Sequence, residues 1–95
     1  MNLAGQTAII TGASSGIGAG VARELSAAGM RLVITARREE RIQALAAELG
    51  NAVCLTGDIC DPALPQRLID KALETYGRLD VVFNNAGVME ATSVE

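Results

Sequence analysis

Four short runs of apolar, largely β-branched residues, separated by segments of helical periodicity, restrict this chain more than any other feature. They are Thr7-Ala8-Ile9-Ile10-Thr11, stopped by Gly12, then Arg31-Leu32-Val33-Ile34-Thr35, Ala52-Val53-Cys54-Leu55 and Val81-Val82-Phe83. A strand with one wet face alternates polar and apolar residues. These do not, so they read as parallel strands covered on both faces. The first helix is expected from Ser15 to Ala28, with Ile17, Val21, Ala22 and Leu25 inward and Gly29 as its stop. The second covers residues 39 to 49, with Ile42, Leu45, Ala46 and Leu49 inward and Gly50 closing it. The third starts from Asp61 as N-cap with Pro62 at the first helical position. It carries Leu64, Leu68, Ile69, Ala72, Leu73 and Tyr76, and stops at Gly77.

The order β-α-β-α-β-α-β calls for an α/β fold with a doubly wound parallel sheet. If strands one to three step outward in the order 3-2-1 and strand four returns to the far side of strand one, giving 3-2-1-4, right-handed crossovers put the first two helices on one face and the third on the other. A switch point then falls between strands one and four. The loops at their carboxyl ends, residues 11 to 18 and 84 to 89, open into one crevice.

Composition removes several function classes. A chain of 95 residues holds one domain, and 49% hydrophobic with 20% charged residues is a globular composition. Eleven acidic residues against eight basic give a net charge of −3, so no broad footprint for nucleic acid or an anionic membrane is expected. No apolar stretch approaches the ~18 residues of a membrane span, and Met1 to Gln6 lacks the layout of a secretion signal, so a cytoplasmic location is expected. With no His, and Cys54 and Cys60 as the only cysteines, neither a disulfide framework nor a metal site is expected.

The chemistry lies in the loops after the strands. Thr11-Gly12-Ala13-Ser14-Ser15-Gly16-Ile17-Gly18 joins strand one to helix one. Glycines let such a backbone turn tightly and approach a ligand, while N–H groups of the first helical turn face an anion, for which a diphosphate is the natural occupant. A plain glycine-rich turn with Ser14 or Ser15 as N-cap is the alternative. The spacing is G-x-x-x-G-x-G rather than G-x-G-x-x-G, and no Lys follows Gly18 as a P-loop would require.

This octapeptide, Asn84-Asn85-Ala86-Gly87 past strand four and Asp58-Ile59 past strand three occur in an order and spacing that resemble the short-chain dehydrogenase/reductase family. The resemblance covers the whole chain and implies a Rossmann-like fold, here in part. It implies that Gly12, Ser14, Ser15, Gly16, Ile17 and Gly18 wrap a pyrophosphate, that Asp58 accepts from the adenine amino group, and that Ile59 packs on the base. Asn85, Ala86 and Gly87 would meet the ribose, and Asn84 would hold backbone groups of neighbouring strands. Ordinary turn chemistry is the alternative for Asp58. Where an NAD enzyme presents a carboxylate to both ribose hydroxyls, this chain has Ala36, followed by Arg37 and Arg38. A guanidinium suits a phosphate dianion, so NADP(H) is favoured over NAD(H). Solvation, or pairing of the arginines with Glu39 and Glu40, stays open, most of all for Arg38. Residues 1 to 50 carry five Arg against four Glu, and 51 to 95 three basic against seven acidic residues, so the positive charge sits with the proposed phosphate sites. Arg67, Asp70, Lys71 and Glu74 read as a solvated face with i,i+4 pairing.

The family's Ser and Tyr-x-x-x-Lys lie beyond the fourth strand. Tyr76 is followed four residues later by Asp80, Lys71 precedes it by five, and Ser93 lies too near strand four. No catalytic residue is therefore expected, and Tyr76 reads as a helix residue with an apolar body and a wet hydroxyl. Residues 1–95 are expected to be the cofactor-binding N-terminal part of a longer carbonyl or alcohol oxidoreductase, marginal alone because strand four is a bare edge through which it could self-associate. A free-standing nucleotide-binding module completed by a partner and an inert pseudoenzyme segment are the other readings.

Overall fold

Each apolar run becomes a strand in the computed structural model, which describes residues 3–14 and 16–84. The elements are β1 (Thr7–Thr11), α1 (Gly16–Ala27), β2 (Arg31–Ala36), α2 (Glu39–Leu49), β3 (Ala52–Thr56), α3 (Leu64–Tyr76) and β4 (Val81–Asn84). All pairings are parallel and the sheet order is β3-β2-β1-β4, the order expected from the sequence. Asn85, Ala86, Gly87 and Ser15 lie outside the described residues.

The period of two along the strands divides the core. Ala8 and Ile10 of β1 join Leu32, Ile34 and Ala36 of β2 beneath α1 and α2. Ile9 and Val33 face the other way, onto Leu64, Leu68 and Ala72 of α3. Every residue of β1 is buried, since it has a strand on each edge and helices on each face. Truncating Ile9 or Ile10 to Ala would cost about 2–5 kcal/mol. β4 ends the described sheet with Val81 and Phe83 39% and 36% exposed.

The helix ends are local chemistry. Gly29 takes φ +94°, donates to the Ser26 carbonyl at 2.9 Å and places the Met30 N–H on the Leu25 carbonyl at 3.1 Å. That is a Schellman cap, with Met30 buried behind it. A Cβ on Gly29 would also lie 3.0 Å from that of Ala4. α3 begins later than its sequence suggests. Asp61 does not cap the helix: its Oδ1 accepts the Ala63 N–H at 2.9 Å and its carbonyl accepts the Leu64 N–H at 3.0 Å, a turn ahead of the helix. Pro65 is the reason. It has no N–H for the Asp61 carbonyl, so it must stand in the first turn, where that donor is not needed.

Two further expectations are corrected. Ile17 is 72% exposed, because it stands off the face of α1 on which Gly18 and Ala22 are buried. The partly buried Tyr76 hydroxyl is not left to solvent alone. It points to the carbonyls of Leu32 (3.1 Å) and Asn51 (3.2 Å), to either of which it donates, while Arg31 lies 5.9 Å from the ring centroid. Burial pushes the phenol's pKa up, and the Arg31 charge partly offsets this. On α3 the bond that forms is Gln66 Nε2 to Asp70 Oδ1, 2.9 Å, rather than an ion pair between charged neighbours.

Asp80 fastens β4 to β1. Its Oδ2 accepts the Thr7 N–H at 2.8 Å, its own N–H donates to the Thr7 carbonyl at 2.9 Å, and Arg78 grips both oxygens at 2.8 Å. The Arg78 hydrogen bonds, followed by the Thr7 amide, hold this carboxyl below its ordinary pKa. A depressed pKa gives stability that is full above the unfolded carboxylate pKa and lost as pH falls through the folded one. Asp80→Asn should therefore flatten the acid side of a stability-versus-pH curve, measured by urea unfolding, while an unchanged acid limb would deny Asp80 this role. The Thr7 hydroxyl is buried with no hydrogen-bond partner among the described residues. Thr7→Val should raise stability by about 1 kcal/mol in the same assay.

Candidate functional site

The carboxyl ends of parallel strands share one edge of the sheet, and a cleft of about 670 Å³ opens there. Its walls come from three successive strand ends. Thr11 ends β1 and Gly12 and Ser14 follow it, Thr35 and Ala36 end β2 and Arg37 and Arg38 follow it, and Gly57 and Ile59 follow β3, with Leu64 behind them.

Gly12 takes φ +66°, the left-handed conformation that glycine tolerates without strain. The chain then turns back so that the Ala13 N–H donates to the Thr35 carbonyl at 3.1 Å, pinning the loop to β2 with Ala13 fully buried. Ser14 is left at the cleft wall. α1 begins at Gly16, where a Cβ would meet nothing within 4 Å, so the backbone there is open on that side. The first turn of α1 contains no acidic residue, so no side chain there opposes the positive end of its dipole. The Thr11 hydroxyl donates to Asn84 Oδ1 at 2.8 Å, giving Asn84 a sheet-binding role through a side chain of the neighbouring strand.

At the end of β2, Ala36 is 8% exposed and offers no charge. Arg37 and Arg38 are exposed at the cleft and make no ion pair among the described residues. Pairing with the next helical turn is not what forms: the Glu39 carboxylate accepts from Gln43 Nε2 at 2.8 Å. On β3's side, Gly57 is packed so closely that a Cβ would stand 2.5 Å from Leu64 Cδ1. The Asp58 carboxylate closes a turn, accepting the Cys60 N–H at 2.9 Å, and only its neighbours Gly57 and Ile59 line the cleft.

Of the residues singled out by sequence, the structure thus brings Gly12, Ser14, Arg37, Arg38 and Ile59 to one cleft. Gly16, Ile17 and Gly18 form the helix end beside it. Thr11, which opens the octapeptide but was given no contact, lines it too, as do Thr35, Gly57 and Leu64. The two threonines could have been found as the last residues at strand carboxyl ends. Leu64 carries only a core signal. Among the described residues, no helix is long and apolar enough to cross a membrane. No group of three or more His, Cys, Asp or Glu could hold a metal ion there.

Comparison with known proteins follows the same outline. The profile of the short chain dehydrogenase family matches residues 6–95. A ketoacyl reductase ascribed to the granaticin polyketide synthase of Streptomyces violaceoruber is 48% identical over 81 residues, which is 84% of this chain and 32% of the relative. A metagenomic short-chain oxidoreductase solved in complex with NADP superposes with a TM-score of 0.82 at 39% identity, covering 93% of this chain and 42% of that one. A short-chain dehydrogenase/reductase from Burkholderia phymatum, solved in complex with NAD, gives 0.87 at 34% identity, covering 93% and 33%. The chain therefore spans about a third of the length of the curated relative it matches.

Proposed function

This chain belongs to the short-chain dehydrogenase family, and from that premise we propose that it is the NADP(H)-binding part of an oxidoreductase acting on a carbonyl or alcohol. The observation that carries the choice of cofactor is the end of β2: an uncharged Ala36 in the cleft wall with Arg37 and Arg38 on its rim and no ion pair among the described residues. A carboxylate at position 36 would repel a 2′-phosphate, whereas a guanidinium can meet two of its oxygens at once.

The residues present fit the rest of a dinucleotide. Gly12, Ser14, Ser15, Gly16, Ile17 and Gly18 would hold the pyrophosphate, at a helix end with no acidic side chain in its first turn and open space at Gly16. The exposed Ile59 would give the adenine an apolar platform. Asp58 would have its second oxygen for the amino group, since the first is taken by the Cys60 N–H. Asn85, Ala86 and Gly87 would reach the ribose. When bound, the nicotinamide supplies or accepts the hydride. This chain's own residues fix where the dinucleotide lies, and the proton-transferring Ser, Tyr and Lys of the family would come from outside residues 1–95. On this reading the chain is the first part of a dinucleotide-binding Rossmann domain and does not turn over substrate alone.

Arg37→Asp tests the reading. It should remove roughly 1–3 kcal/mol of NADPH binding while leaving NADH binding equal or improved, as measured by titration of each nucleotide. An unchanged preference would mean that Arg37 is only solvated and that the cofactor assignment is wrong.

A further inference from the structure

Gly57 is the first residue after β3, and nothing in its own backbone demands a glycine: it is not among the glycines of positive φ, so an alanine could take the same conformation. Space demands it. A Cβ at position 57 would stand 2.5 Å from Leu64 Cδ1, with Cδ2 at 3.4 Å and Cγ at 3.5 Å, so a methyl would have to gain about 1 Å to reach ordinary contact. Leu64 has little room to give way. It is 1% exposed and packs with Ile9, Val33, Leu68 and Ala72 on the α3 face of the sheet.

This contact joins the two ends of one loop. At the first end the Gly57 N–H donates to the Ala36 carbonyl at 3.1 Å, which carries the β2–β3 pairing one residue further and ties the loop to the end of β2. At the second, Leu64 is the first residue of α3. Between them the chain is bonded to itself: the Asp58 carbonyl accepts the Asp61 N–H at 2.8 Å, Asp58 Oδ1 accepts the Cys60 N–H at 2.9 Å, and the Asp61 carbonyl accepts the Leu64 N–H at 3.0 Å. Such a loop moves as a unit. Ile59 projects from it, 45% exposed, and Gly57, Ile59 and Leu64 all line the cleft. Forcing Gly57 and Leu64 apart therefore shifts Ile59 and the Asp58 carboxylate against Ala36.

We infer that Gly57 and Leu64 are a pair of positioning residues for the nucleobase of the cofactor: the Leu64 side chain fills the space left at Gly57 and so sets how Asp58 and Ile59 stand against the end of β2. Both act through Asp58 and Ile59. The inference rests on the adenine placement in the reading above and not on the choice between NADP(H) and NAD(H). It accounts for a glycine whose backbone does not need one, and for a core leucine that reaches the cleft wall.

The test is titration of the intact protein with NADPH and with its deamino analogue, in which an oxygen replaces the adenine amino group, for the wild type, Gly57→Ala, Leu64→Val and the double variant. Leu64→Val removes about the volume that Gly57→Ala adds, and circular dichroism checks that each variant is folded. The wild type should bind NADPH about tenfold tighter than the analogue, through Asp58. Gly57→Ala should weaken NADPH binding about tenfold and abolish that discrimination, while Leu64→Val alone keeps it and, added to Gly57→Ala, restores most of both. Should Gly57→Ala fail to fold, the double variant decides: wild-type discrimination supports the pair, and its loss overturns it. A folded Gly57→Ala with wild-type affinity and discrimination would overturn the inference, as would a loss that Leu64→Val does not repair. A wild type that binds both nucleotides equally would overturn the adenine placement itself, and the inference with it.

Discussion

The parallel pairing of β1 with β2 on one edge and β4 on the other is the constraint on which everything else depends. It buries β1 on both faces and both edges, which only an unbroken apolar run can satisfy. It also forces each connection to cross over as a helix, so that the loops after β1, β2 and β3 emerge at one end. A glycine turn, an arginine pair and an Ile platform that lie tens of residues apart in sequence thereby line one cleft. Asp80 secures the amino end of the β1–β4 pair through the Thr7 backbone, and Thr11 with Asn84 secures the carboxyl end beside the site.

Local electrostatics explain how a chain of net charge −3 can present a site for an anion. Two of its acidic side chains are turned onto arginines away from the cleft, Glu48 onto Arg23 and Asp80 onto Arg78. Arg37 and Arg38 make no such pair among the described residues, and they directly follow the end of β2. The absence of a carboxylate at Ala36 matters as much as these charges to the proposed preference, because an anion there would repel a 2′-phosphate. Where the charges stand decides the ligand. Their total does not.

Much of the fold was legible because its signals are local and redundant. Gly29, Gly50 and Gly77 each take a positive φ and cap a helix where the periodic pattern stops. The two-faced burial of the strands follows from their lack of alternation. What escaped the sequence involved competition between local devices or reach across the fold. Asp61-Pro62 resembles a helix start, yet Pro65 three residues later decides the matter through a missing N–H. Ile17 fits the apolar stripe of α1 by spacing, but the buried face of the helix is the one that carries Gly18 and Ala22. The Tyr76 hydroxyl finds carbonyls 44 and 25 residues away, which no local pattern reveals. In the site itself, the glycine loop and the arginines declared themselves, whereas Leu64 behind the cleft carries only a core signal.

The central claim is that this cleft takes a dinucleotide carrying a 2′-phosphate. Direct titration of the unmodified protein with NADPH and NADH, under one ionic strength, tests it. The account predicts saturable binding of NADPH at least about tenfold tighter than NADH, with the difference shrinking as salt screens the arginines. Equal affinities, or tighter binding of NADH, would contradict it.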